Sequence, residues 1–420
     1  MDCDYYSDGP SMSSQRFNFT TDHHFSHRPP GRRQGDYFVD LDSKMRQVSS
    51  HCNSTNSIPL FGGDLFHLKD PSKIPTPTLV KFLGDLSNLL ISFKTPPLCA
   101  IGNHDIRYDR LSTLPEQPLG LLAQSGVISL LCNYSLINLV DWEAPSGHTY
   151  LVEKTLSGHA FHLDNGSHVL VYSTPYIEDP QDLLAYIGGP EFHDALGNLA
   201  KDLLPIAETS QSVTGILLLH TLSGGLPGEF YGLHRADYGS IHKALAYSAL
   251  GRATSAVLFG HEHPDLPEHA LPFDSISPLS VNNLPTGYLI ATTGTLYINP
   301  ASFSRSSLDY NERVEDPERN VYMVDLVYTT SGAGLGLTYN KINIETRPIT
   351  QLFGVSDSVD PLNQGAEVED TPQELPVWTS FNDALNKLDN TGVDPAKYLI
   401  DRLRTESAQV TATVKTLLVV

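Results

Sequence analysis

The chain has 420 residues, of which 40% are hydrophobic and 18% charged, and its formal net charge is −21. That length buries one large core with room for accessory pieces, and no run of about 18 apolar residues is present to span a membrane as a helix. The acidic balance argues against autonomous binding of a polyanion such as nucleic acid, unless cations in a site reverse the local sign.

Residues 1–15 are polar and acidic, lack the basic start and apolar run of a signal peptide, and read as a disordered leader. Arg16–Thr21 is β-prone and ends at Asp22, before a loop rich in Pro, Gly and Arg. Asp40–Val48 reads as a helix and Ile58–Gly62 as a buried strand ending in a Gly-Asp turn. Thr78–Phe93 carries Leu79, Phe82, Leu83, Leu86, Leu89 and Leu90 at helical spacing, a core-facing stripe. Pro97–Ile101 is strand-like and runs into Gly102-Asn103-His104-Asp105. A helix around Leu119–Ser125 precedes strands at Val127–Leu131, His148–Val152, Ala160–Leu163 and His168–Ser173. Asp182–Leu204 reads as one helix, Thr214–Leu219 as an apolar strand capped by His220, and Ile241–Leu250 as a helix. Ala256–Phe259 is a strand, followed by Gly260-His261-Glu262-His263.

Strand, polar motif and helix repeat in the rhythm of a layered α/β fold, whose strand-end loops converge on one edge. Residues 16–305 are expected to form the main α/β domain, 306–350 a β-rich capping segment, 351–377 an acidic linker and 378–420 a helical tail. The four cysteines show no CxxC pairing, which fits thiols in a reducing cytoplasm and not a thiolate zinc site. With 17 histidines, several packed into short motifs, imidazole–carboxylate metal sites are favoured.

Five polar clusters occur in order: Asp22-His23-His24, Gly63-Asp64 with His67, Gly102–Asp105, His220, and Gly260–His263. Two cations about 3.5–4 Å apart need one bridging carboxylate and several further N/O ligands, plus a general acid beside the leaving group. The clusters supply those parts. The order D-x-H, GD-xx-H, GNHD, H, GHxH resembles the signature of calcineurin-like metallophosphoesterases, whose fold is a layered α-β-β-α sandwich. The resemblance implies that Asp22, His24 and His263 bind a first metal, that Asp64 bridges, and that Asn103, His220 and His261 bind a second. His104 would be a proton donor or oxyanion stabiliser over the phosphate, oriented by Asp105. Hydrolysis would proceed by attack of a hydroxide held between two divalent cations, with Mn²⁺ the expected ion and Fe, Zn or Mg as alternatives.

A narrower resemblance, to SbcD-type DNA repair exonuclease subunits and their phage relatives, rests on GGDLFH, Pro118–Gly120, and Ile298–Ser307 followed by VYMVDL. It implies a nuclease whose His67 helps place the scissile phosphate, with an SMC-like ATPase docking on the C-terminal region, and a homodimer as a further possibility. A phosphatase or small phosphodiesterase with the same site, or a partner-recruiting subunit, are the other readings. Individual residues also have plainer roles open to them. His23 reads as a neighbour of the ligands or a surface residue, and His67 could simply pack against the following helix. Arg28, Arg32 and Arg33 read as a solvated basic loop or as contacts to a phosphate backbone, with Arg305 a similar candidate. Glu262 is expected to be exposed.

Overall fold

The computed structural model describes residues 14–347, apart from 31–32, 34, 108–109, 206–210, 225–228, 231–232, 262, 264–265, 274–280, 293, 305–320 and 332–333. The acidic linker, the helical tail and most of the leader therefore lie outside the described residues, as do Arg32, Glu262 and Arg305. Ser14 and Gln15, read as leader, already belong to the first strand, where Ser14 pairs with Thr329.

Strand β1 (Ser14–Thr20) is followed by α1 (Tyr37–Thr55), β2 (Ile58–Phe61), α2 (Thr76–Leu90), β3 (Leu98–Cys99), α3 (Pro118–Gln124) and β4 (Ser129–Leu130). The strands β1 to β4 are parallel neighbours, as crossover connections through helices require. Beyond β1 the sheet is extended by a hairpin, Val321–Ser331 and Gly334–Ile344, whose first strand pairs antiparallel with β1. The described part of the stretch expected as a β-rich cap thus belongs to the six-stranded sheet: alternate residues Val324, Leu326 and Tyr328 share a core with Phe17 and Phe19.

The second sheet has seven strands and centres on Gln211–His220 and Thr254–Gly260, which are parallel, with His168–Ser173 and Gly294–Asn299 flanking them. Its strands alternate strictly. Ile216, Leu218, Ala256 and Leu258 face the first sheet, while Leu217, Leu219, Val257 and Phe259 face the helices behind. A third cluster joins Leu41, Met45 and Val48 of α1 to Phe82, Leu86 and Leu89 of α2. The layers are helices, sheet, sheet, helices in a mixed α/β molecule. Among the described residues no helix is long and apolar enough to cross a membrane.

Two expected helices are each split. Asp182–Leu204 is Pro180–Ile187 plus Pro190–Leu203, because Gly188-Gly189 ends one helix and Pro190 opens the next, where its missing N–H costs nothing. Ile241–Leu250 is Tyr238–Leu245 plus Ala249–Arg252, since the Ser248 side chain accepts from Gly251 N and starts a new turn.

Candidate metal centre

The polar motifs sit where the parallel strands of both sheets end. The chain leaves β1 through Asp22 and His24, both in left-handed backbone, with φ 53° and 47°. Past β2, Asp64 has φ 50°, and past Thr254–Gly260, His261 has φ 87°. Among the described residues the one other non-glycine residue of this kind is Asn56, at the C-terminal cap of α1. A side chain in this region costs about 1–3 kcal/mol, and strain concentrated on one group of loops points to function. Gly260 is paired in register with His220, which brings the last two motifs side by side. Glycine is required at these joins: a Cβ on Gly102 would lie 2.1 Å from Asp64 Oδ1, and one on Gly260 would lie 2.2 Å from Thr21 Oγ1.

Three groups of possible ligands result among the described residues, and two of them, Asp22–His24–His263 and Asp64–His220–His261, comprise the expected ligands. In the first, His24 Nε2 and His263 Nε2 are 3.1 Å apart and each is 3.9 Å from Asp22 Oδ1. In the second, Asp64 Oδ2 is 3.3 Å from His220 Nε2, yet it also lies 3.8 Å from His24 Nε2 in the first group. Asp64 therefore faces both. Asn103 Oδ1 lies 3.3 Å from His220 Nε2, 3.2 Å from His261 Nδ1 and 2.9 Å from Asp64 Oδ2. The structure brings together all seven expected ligands.

The donor set fits cations. Two buried carboxylates, four imidazoles and an amide oxygen crowd their acceptor atoms on one another, and Asn103 Oδ1 faces Asp64 as acceptor to acceptor. That contact is favourable with a cation among the oxygens. Otherwise the amide must turn over, donating to Asp64 and accepting from Lys69 Nζ at 3.3 Å. Burial raises the pKa of Asp22. Burial would raise Asp64 too, but His220 and His104 outweigh it and hold its carboxyl well below the usual range. His220 is buried as well, yet Asp64 and Asp22 lift it to about 9, while burial lowers His24 and takes His261 to about 3. A cation bound among these groups would itself neutralise the two carboxylates, and His220 would bind it as the neutral imidazole.

Partners outside the ligand set orient the ligands. His220 Nδ1 donates to Gly62 O at 2.9 Å, leaving Nε2 for the site. Asp22 accepts from His261 N at 3.0 and 3.1 Å and from Thr21 Oγ1 at 2.9 Å. His104 N donates to Asp64 Oδ1 at 2.8 Å, and its ring Nδ1 donates to His67 O at 2.5 Å. Its Nε2 is thereby turned inward, 4.0 Å from Asp64 Oδ2. This corrects the role expected of Asp105. Its carboxylate accepts from Gly102 N at 3.0 Å and Phe66 N at 3.2 Å, so it fastens two ligand loops together, and the His67 carbonyl orients His104.

The His67 ring lies nearly parallel to that of His104, with centroids 5.8 Å apart, and with His24 these rings form a third histidine group. His67 thus lines the site instead of packing on the next helix. His23 is neither at the site nor on the surface: it is fully buried among Phe25, Phe61 and Phe303, with Nε2 2.9 Å from Thr20 Oγ1. Arg33, read as part of a solvated or phosphate-facing loop, is buried and paired with Asp40. Sequence reasoning missed this pair and Lys44, because an Arg in a Pro/Gly-rich loop and a Lys on an amphipathic helix have the pattern of exposed residues. No family model matches the chain, and no curated protein matches it.

Proposed function

We propose that the chain is a binuclear-metal phosphodiesterase with the calcineurin-like metallophosphoesterase sandwich, acting on DNA as a nuclease of the SbcD type. The observation that carries the reading is the position of Asp64, whose Oδ2 faces His24 Nε2 at 3.8 Å and His220 Nε2 at 3.3 Å, as a carboxylate shared by two ions must. Asp22, His24 and His263 would hold one divalent cation, and Asn103, His220 and His261 the other. Bound there, the cations (Mn²⁺ suits this N/O donor set) would polarise phosphoryl oxygens and lower the pKa of the attacking water.

The remaining work falls to protein groups. Because His104 Nδ1 is committed to the His67 carbonyl, the proton His104 delivers must come from Nε2, so it acts as the imidazolium. It donates to the departing ribose oxygen or steadies charge on a phosphoryl oxygen. The His67 ring lies beside it, nearly parallel, and would meet the part of an extended substrate that flanks the scissile phosphate. That second histidine favours an extended phosphodiester over a bare phosphate monoester.

The net charge of −21 supports a second reading, a small phosphodiesterase or phosphatase with the same residues. The test is incubation of the purified chain and Mn²⁺ with linear DNA and, separately, with a chromogenic phosphodiester. Cleavage of both is expected. Cleavage of small esters alone, whatever the DNA length or structure, removes the nuclease reading, and inactivity on all of them removes the phosphoesterase reading.

A further inference from the structure

Behind the Asp22–His24–His263 group runs a short backbone segment, Ser302–Ser304, which touches both loops that supply the group. Ser302 N donates to His263 O at 2.8 Å. Phe303 N donates to Thr21 O at 3.0 Å, and Ser304 N to Asp22 O at 3.2 Å. Ser302 Oγ also donates to Asp22 O, at 3.1 Å. The first ligand loop and the last are 239 residues apart in sequence, and this segment joins their main chains.

The segment is itself held from behind by two buried cationic side chains. Lys44 Nζ, on α1, donates to Phe303 O at 3.0 Å, and Arg33 Nη1 donates to Ser304 O at 2.5 Å. Both cations converge on Asp40: its Oδ2 is 3.2 Å from Lys44 Nζ and is bonded to Arg33 Nη2, while Arg347 Nε approaches Oδ1 at 3.3 Å. The Arg33 guanidinium lies 4.7 Å from the centre of the Tyr37 ring, and the Tyr37 hydroxyl donates to His24 O at 2.9 Å. Lys44 is only 1% exposed and Arg33 4%, so desolvating both charges has a cost that surface placement would have avoided.

A hydrophobic pair would fill the same space, but it could not hold two backbone carbonyls at set distances. Asp22 and His24 sit in strained left-handed backbone, a conformation that persists only where surroundings over-determine it. We propose that Lys44 and Arg33, clamped by Asp40, are positioning residues that set the geometry of the Asp22–His24–His263 group through the 302–304 backbone. The proposal deepens the reading of that group as a cation site and rests on it.

The experiment is calorimetric titration of the full chain with Mn²⁺, for wild type and Lys44→Met, with the melting temperature of each metal-free protein measured alongside. Lys44→Met leaves Asp40 paired with Arg33 and Arg347, so the carboxylate is not stranded. The expected result is two binding events in wild type and, in the variant, one unchanged and one weakened roughly 10–100-fold, the usual effect of losing a group that orients a ligand. A role in folding alone would lower the melting temperature and leave both affinities as they were, and that result overturns the proposal while sparing the cation site. Absence of any Mn²⁺ binding by wild type overturns the cation site and the proposal with it. Should Lys44→Met fail to fold by circular dichroism, Ser302→Ala takes its place, deleting one hydroxyl bond to Asp22 O. It is expected to weaken the same event several-fold, and an unchanged affinity there counts against the proposal.

Discussion

His24 Nε2 lies 3.1 Å from His263 Nε2. Neither nitrogen gains from the other unless a proton or a cation sits between them, and Asp22 Oδ1, 3.9 Å from each, supplies the matching negative charge. The same logic applies to Asp64 and the second group, which makes the shared carboxylate the most informative side chain to change.

Asp64→Asn keeps the shape and removes the charge. It is expected to leave a folded protein that has lost at least one cation by elemental analysis and at least about a hundredfold in diester hydrolysis. Full metal content and full activity in this variant would remove Asp64 from the site.

His104→Gln and His67→Ala separate chemistry from substrate placement. The first is expected to lower kcat by about 10²–10⁴ on DNA and on a small diester alike, with cation content unchanged. The second is expected to act mainly on DNA. Equal losses on both substrates for His67→Ala would mean that it does not read the extended strand.

Gly102→Ala tests the close join between two ligand loops. The added methyl would lie 2.1 Å from Asp64 Oδ1 and 2.3 Å from Asp64 N, and backbone cannot step aside as a flexible side chain can. A destabilisation of roughly 1–3 kcal/mol with loss of cation binding is expected. Gly84, within α2, is the control: nothing lies within 4 Å of a Cβ there, and Gly84→Ala should stabilise the helix by roughly 0.5–1 kcal/mol. Chemical denaturation reads both, and similar values for the two would contradict the packing described.

Glu153 supplies a pH dependence away from the metal centre. Burial pushes its carboxyl up to about 7, although Asn133 N, at 2.6 Å, and Ser157 Oγ, at 2.8 Å, donate to it. A carboxyl whose pKa is higher in the folded state binds its proton more tightly there. Its stabilising contribution is therefore complete below about 4.5, the ordinary value, and is lost as pH rises through about 7. Glu153→Gln cannot ionise, so its stability relative to wild type should rise across that window, by on the order of 2–3 kcal/mol in denaturant titrations at several pH values. A constant difference across the window would show that Glu153 stays ionised.

Much of the site could be read from the sequence. Polar clusters at strand ends were legible because strand ends in layered α/β folds share one edge, and the resemblance to calcineurin-like metallophosphoesterases singled out Asp22, His24, Asp64, Asn103, His220, His261 and His263 among them as candidate ligands. Apolar runs likewise announced the strand His168–Ser173 and, as Ala256–Phe259, most of the strand Thr254–Gly260. Tertiary structure decided what depends on contacts between distant segments. The hydrogen bond from His104 Nδ1 reaches the His67 carbonyl and not Asp105, and the hairpin after residue 320 joins the sheet through β1. Burial turned His23, Arg33 and Lys44 inward, against the ordinary habit of their residue types. Local pattern records what a residue can do. Which partner it meets depends on pairings closed across hundreds of residues, and no spacing in the chain encodes those distances.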